Sequence, residues 1–185
     1  MNPLHNSIFA ALPVNDLAEL LPHLQLISLA QDQVLFEMGE IPAHVHFPVG
    51  AIVSMINDLP NGETIELHML GKTCMVGVAA IDTPSFYRAS VRVAGLAYRV
   101  PLEVLKALRR RSPDYFVQAQ TRTALLMNHI AQRATCIKYH QIEQQVVRWL
   151  LLMLDRQYDT VIKVTHCELA KLIGARREAI TLVSP

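Results

Sequence analysis

Apolar and polar positions change their period near the middle of the chain, and the change predicts two kinds of structure. Up to about residue 100 the apolar stretches are short, among them residues 34–36 (Val-Leu-Phe) and 51–53 (Ala-Ile-Val), and glycines at 39, 50, 62, 71 and 77 separate them. Short apolar runs between turn formers read as strands. Pro60-Asn61-Gly62 is the clearest turn, because Asn and Gly both tolerate positive φ and so suit a tight hairpin. Ile65 and Leu67 then alternate with Glu66 and His68, as on a half-buried strand with an apolar inner face. A small antiparallel jelly roll fits this half best.

Beyond residue 100 the period lengthens to that of helices. Residues 113–137 carry a seven-residue recurrence, Phe116, Thr123, Ile130 and Ile137, accompanied by Gln120, Met127 and Ala134. This predicts a long helix with a coiled-coil seam; the alternative is that the same face packs only on its own barrel. Ile142, Val146, Leu150 and Leu154 recur every four residues with Val147 and Leu151 beside them, the broad apolar stripe of a core helix. Residues 161–164 read as a short strand. Thr165 followed by Glu168 is a capping box that starts a new helix, on which Leu169 and Ile173 share a face with small Ala170 between them. Gly174 supplies a left-handed turn, and residues 176–183 form a second short helix with Ile180 and Val183 facing inward.

Small Ala170, turn Gly174 and inward Ile180 and Val183 fall at the offsets of a bacterial helix-turn-helix, and the stretch resembles the Crp/Fnr regulators. The segments "FEMGEIPAHVHFPVGAIVSM" and "NGETIELHMLG" resemble the effector domain of the same family, its cyclic-nucleotide-binding jelly roll. The resemblance implies an α+β fold: an antiparallel β jelly roll (double-stranded β-helix) over residues 1–112, a dimerisation helix over 113–138, and a winged helix-turn-helix over 139–185. It implies a homodimer paired through Phe116, Thr123, Met127, Ile130 and Ile137. It places Arg177 and Glu178 where the family contacts base edges. Arginine can bond guanine O6 and N7 with two parallel bonds, and glutamate can accept from cytosine N4. Arg176, Thr181, Thr165 and Lys171 are further candidates at double-stranded DNA. In the family the second helix runs on into a two-stranded wing, whereas here Ser184-Pro185 ends the sequence; the expectation is an incomplete winged unit with weakened DNA binding.

The family's nucleotide-binding members hold the ribose with a glutamate and the cyclic phosphate with an Arg-Ser pair. In "GKTCMVGVAAIDTPSFYRASVRVAG", Arg88 stands at the arginine position with Ser90 nearby. Ala89, however, replaces the hydroxyl and Met75 the glutamate. Leaving ribose hydroxyls unpaired would cost about 1–3 kcal/mol each, so the pocket reads as degenerate for cyclic nucleotides, with any small-molecule effector unidentified. His44 and His46 form an HxH pair that, with His68, admits a cupin-like metal enzyme as a separate reading, but no glutamate follows three to four residues on. An effector-sensing or dimerising module that lacks DNA binding because of the truncation is the runner-up reading, and the metal enzyme the third. No cofactor or resident metal is expected.

Charge sharpens the division. Residues 1–100 carry four basic and nine acidic side chains, and residues 101–185 carry thirteen basic and seven acidic. A basic half containing the candidate DNA reader, beside an acidic half containing the barrel, suits a regulator with a separate sensing domain. The longest aliphatic run, residues 149–154, is far short of a membrane span, and the N-terminus lacks a signal-peptide pattern. Cys74, Cys136 and Cys167 are widely spaced and form no CxxC pair, which suits a reducing compartment; a cytoplasmic protein without a membrane partner is expected.

Overall fold

A computed structural model describes residues 2–77, 83–157 and 160–183. Two short helices, α1 (Ser7–Ala10) and α2 (Val14–Leu20), precede strands β1 (Gln25–Leu29), β2 (Val34–Phe36), β3 (His44–Pro48), β4 (Ile52–Asp58), β5 (Thr64–Leu70), β6 (Arg88–Val93) and β7 (Gly95–Pro101). They form two antiparallel sheets, β1-β7-β3 and β2-β6-β4-β5, the roll that the short alternating runs predict. Inward side chains of the larger sheet, Phe36, Val53, Met55, Leu70, Ala89 and Val91, meet Leu29 and Ala97 from the smaller one in a closed core. A second core, built from Ile8, Phe9, Leu20, Phe47, Val100, Leu105 and Tyr115, seals one end.

Five helices complete the chain: α3 (Leu102–Arg111), α4 (Pro113–Tyr139), α5 (Ile142–Arg156), α6 (His166–Ile173) and α7 (Arg177–Val183). Ser112 caps α4 by accepting from the Tyr115 amide at 3.0 Å, and Pro113 occupies the first turn, where its missing N–H does no harm. A third core joins α5, α6 and α7 to the outer face of the four-stranded sheet: Val146, Trp149, Met153, Leu169, Ile173 and Ile180 close over Ile52 and Met69.

Four local expectations need correction. On β5 it is Glu66 and His68 that are buried, with Ile65 and Leu67 only partly so, because α4, α5 and α6 cover the sheet face expected to meet water. The β4–β5 connection is a five-residue loop, 59–63, in which Gly62 alone has positive φ (+82°); the Leu59 amide donates to Glu63 O at 2.8 Å. Residues 161–164 form no strand. Ile162 and Val164 pack into the third core instead, and the Val161 carbonyl accepts from Gln157 Nε2 at 3.2 Å. On α5 the buried line is Val146, Trp149 and Met153, while Val147, Leu151 and Leu154 are exposed. The stop assigned to Ser184-Pro185 lies outside the described residues.

One glycine is fixed by close approach between strand ends. A methyl group at Gly95 would lie 2.6 Å from both Gly50 C and Ala51 N, backbone atoms that cannot swing aside. Gly95→Ala should therefore destabilise the roll by about 1–3 kcal/mol in urea unfolding; a variant as stable as the parent chain would contradict this packing.

Candidate nucleic-acid interface and effector barrel

Local chemistry builds the two-helix unit. Glu168 Oε2 accepts from the Thr165 amide and hydroxyl, both at 2.8 Å, and Thr165 Oγ1 accepts from the Glu168 amide at 3.2 Å, the reciprocal cap that the sequence predicts. These bonds hold the Glu168 carboxyl below its ordinary range. At the other end of α6, Gly174 sits at φ +74°, and the Ala175 amide bonds Ala170 O at 2.9 Å, so the chain reverses without orphaned carbonyls. Helix α7 then buries Ile180 completely and turns Arg177, Glu178 and Thr181 to solvent, with Arg176 exposed just before it. Thr181 Oγ1 bonds back to Arg177 O at 3.1 Å. Among the described residues neither Arg176 nor Arg177 has an acidic partner, so both cations are available. Lys171 is likewise exposed; together with Gly174 and Arg176 it lines a groove against residues 62–65 of the β4–β5 hairpin. The structure thus brings Arg176, Arg177, Glu178, Thr181 and Lys171 to one end of the molecule, with Thr165 spent on the cap of the same unit.

Inside the roll the space is filled by side chains. Tyr87 is 1% exposed, packs edge-on against Phe36 with ring centroids 5.3 Å apart, and accepts from the Gly77 amide at 3.2 Å. Burial pushes its phenol up to about 12. Ala89 is fully buried beside it, Met75 packs into the neighbouring core, and Leu126 and Ile130 of α4 close the roll from outside. Arg88 and Ser90 alternate with Ala89 and Val91 and so lie on the opposite face of β6. Arg88 is chelated there by Asp58, with Nε and Nη2 each 2.8 Å from a carboxylate oxygen, and Glu37 stands 3.7 Å away. Through this bidentate bond the Asp58 carboxyl is held low and the guanidinium high. Ser90 is buried opposite Ser54 and Val34.

His44 and His46 share a face of β3 as their spacing requires, but His68 belongs to the other sheet and stacks on His129 of α4, with centroids 4.9 Å apart. Burial, then His44 and Arg99, pull His46 down to about 4. Among the described residues no group of three metal-ligating side chains converges.

On α4, Phe116, Gln120, Ala124, Met127, Ala131 and Ala134 form a continuous exposed stripe. Thr123 is partly exposed at its edge, Ile137 is exposed, and Ile130 leans away onto the roll core.

Sequence reading missed the junction that holds these parts together. Glu66 is 2% exposed, and its carboxylate accepts from Trp149 Nε1 at 2.8 Å and from Ser54 Oγ. Burial pushes the carboxyl up, opposed by those two bonds and by the fields of Arg133 and Arg92. Around it, Arg92 lies 5.9 Å over the Trp149 ring and 3.5 Å from Glu168, and Arg133 Nη2 donates to Leu172 O at 2.8 Å. The single tryptophan, with an indole N–H that needs an acceptor when buried, was the available signal.

Residues 26–112 match the family model for the cyclic nucleotide-binding domain. No curated protein sequence matches the chain. Among solved structures, a putative transcriptional regulator of the crp/fnr family from Eubacterium rectale superposes with a TM-score of 0.79 at 16% identity, over 97% of this chain and 85% of that one. FixK2 from Bradyrhizobium japonicum gives 0.76 at 15% identity over 86% and 82%. The c-di-GMP responsive global regulator CLP of Xanthomonas campestris gives 0.74 at 17% identity over 92% and 89%. The fold and the two-helix unit define a barrel-plus-helix-turn-helix chain. It shares the fold of these solved structures, with the match to the cyclic nucleotide-binding domain lying over the roll.

Replacing Trp149 by phenylalanine keeps the ring but leaves a buried carboxylate oxygen of Glu66 without its donor. The cost should be about 1–3 kcal/mol in urea unfolding. In a Glu66→Leu background, where no acceptor is orphaned, the same change should cost much less; equal losses in both backgrounds would remove the coupling.

Proposed function

We propose that the chain is a dimeric, DNA-binding transcription regulator of the Crp/Fnr type, in which α7 enters the major groove and Arg177 and Glu178 read base edges. The observation that carries this reading is the capped α6–Gly174–α7 unit, whose inner face is buried through Ile180 while Arg176, Arg177, Glu178 and Thr181 stand exposed. Side chains ordered on a short rigid helix, with two cations free of acidic partners, suit a negatively charged duplex. The likeness to regulator structures supports the same reading. No catalysis is assigned. The roll interior, closed by Tyr87, Phe36 and Leu126, is poorly suited to a cyclic nucleotide, and Arg88 is engaged by Asp58 on the far side of the strand. Among the described residues no helix is long and apolar enough to cross a membrane; the proposed site of action is the cytoplasm.

Arg177→Ala should cost about 1–3 kcal/mol on a selected duplex and little on a scrambled one, whereas Lys171→Ala should weaken both about equally. Fluorescence anisotropy at two salt concentrations reads both effects. Loss of both duplexes alike in Arg177→Ala would make Arg177 a phosphate contact, and no binding of any duplex would favour the sensing or dimerising module instead.

The exposed α4 stripe is the proposed dimer seam. Met127, 66% exposed at its centre, is the better probe than Ile130, whose side chain also supports the roll. Met127→Lys would place charges against each other in an apolar seam and should give folded monomers in light scattering. A parent chain that is monomeric at its highest soluble concentration would remove the seam.

A further inference from the structure

Outside their shared apolar core, α6 and α7 are joined by a short chain of hydrogen bonds. His166, the first residue of α6, places Nδ1 3.4 Å from Thr181 Oγ1 on α7, and Thr181 Oγ1 donates to Arg177 O at 3.1 Å. A hydroxyl carries one proton, so with that proton on Arg177 O the Thr181 oxygen can only accept from the ring. Neutral His166 is thereby fixed as its Nδ1–H tautomer. Its other nitrogen, Nε2, lies on the far edge of a partly exposed ring and has no hydrogen-bond partner among the described residues. Thr181 stands one helical turn beyond Arg177, so the imidazole emerges beside the residues proposed to read DNA.

We propose that His166 is a proton-linked contact to a DNA phosphate, so that duplex affinity rises as the imidazole takes up a proton; the inference rests on the DNA-binding reading of α6 and α7. Neutral Nε2 presents a lone pair, and a phosphodiester oxygen offers only lone pairs in return, so the two do not bond. A proton taken from solvent turns Nε2 into a charged donor. The Nδ1–H bond to Thr181 is the same in both forms, so the charge is added without moving either helix. A phosphate fits better than a base edge, because the first helix of such a unit crosses the DNA backbone while the second enters the groove. Histidine is also the side chain whose charge ordinarily changes between about pH 5 and about pH 8. On the elements that carry or adjoin it, Arg177 and Glu178 stand on α7 with Arg176 before it, Lys171 and Glu168 stand on α6, and Lys163 precedes it. Glu168 is engaged by Thr165 and by Arg92 of β6, and His166 makes no ion pair among the described residues.

Fluorescence anisotropy of the full chain with a selected and a scrambled duplex, from about pH 8 to about pH 5.5, reads the contact. Affinity for both duplexes should rise about tenfold on acidification, the gain of one charge-assisted hydrogen bond, and the slope of log affinity against log salt should steepen by about one. His166→Gln is neutral throughout and leaves every other charge in place, so it should lose most of that rise. His166→Lys is charged throughout and should bind at about pH 8 nearly as tightly as the parent does at about pH 5.5. Without DNA, long-range proton–nitrogen NMR spectra at neutral pH should show the His166 ring protonated at Nδ1, and Thr181→Val should release that preference. An equal rise in the parent and in His166→Gln overturns the proposal. So does a ring protonated at Nε2, or a rise confined to the selected duplex, which would make His166 a base contact. A parent chain that binds no duplex at any pH fails the DNA reading and this contact with it, whereas duplex binding whose pH dependence survives in His166→Gln removes the contact alone.

Discussion

A buried carboxylate between two domains constrains the whole arrangement. Glu66 lies on the face of β5 that would meet water in an isolated roll, and removing its charge from water is tolerable only where donors reach it. Ser54 supplies one from the neighbouring strand, and Trp149 supplies the other from α5. The indole donor has one usable direction, so meeting Glu66 fixes the rotation of α5 on the sheet. That rotation in turn points Val146 and Met153 toward Ile52 and Met69 and gives α6 and α7 their floor. A bond of this kind contributes orientation more than stability, since its gain is set against the desolvation of the carboxylate.

From that junction the rest of the helical unit follows. Arg92 shields the other face of Trp149 and reaches Glu168, the residue that caps α6, while Arg133 ties α4 to the Leu172 carbonyl near the end of α6. The α6–α7 unit is therefore connected to both the sheet and α4 by charged groups that lie partly or wholly out of solvent. The same packing leaves a run of positive charge, Arg122, Arg133, Arg148 and Arg156, along the line where the roll, α4 and α5 meet. Glu66 faces Arg133 in that run and offsets part of its charge.

The parts legible in the sequence are those whose causes are local. The capping box at Thr165 and Glu168, the left-handed Gly174 and the inward Ile180 each depend on residues within a few positions, and all lie as read. The roll followed from short apolar runs between turns. Tertiary events were less legible. Alternation on β5 could not tell which face another domain would cover, so Glu66 and His68 read as outward. On α5 a four-residue repeat of aliphatics drew attention to Leu154, while the volume of Trp149 and its polar edge decided which side faced the sheet. The heptad through Ile130 drifted from the exposed stripe because a helix of 3.6 residues per turn rotates against a seven-residue repeat. Residues 161–164 are β-branched enough to read as a strand, yet Ile162 and Val164 go to the helical core instead.

Trp149 is the chain's only tryptophan, so its fluorescence reports the junction without interference. The account predicts blue-shifted emission from a buried indole, protected from acrylamide in the native chain, with a shift to the red and full quenching on unfolding. Native emission at the wavelength of a water-exposed indole, with quenching equal to that of the unfolded chain, would contradict the docking of α5 on Glu66 and with it the placement of α6 and α7.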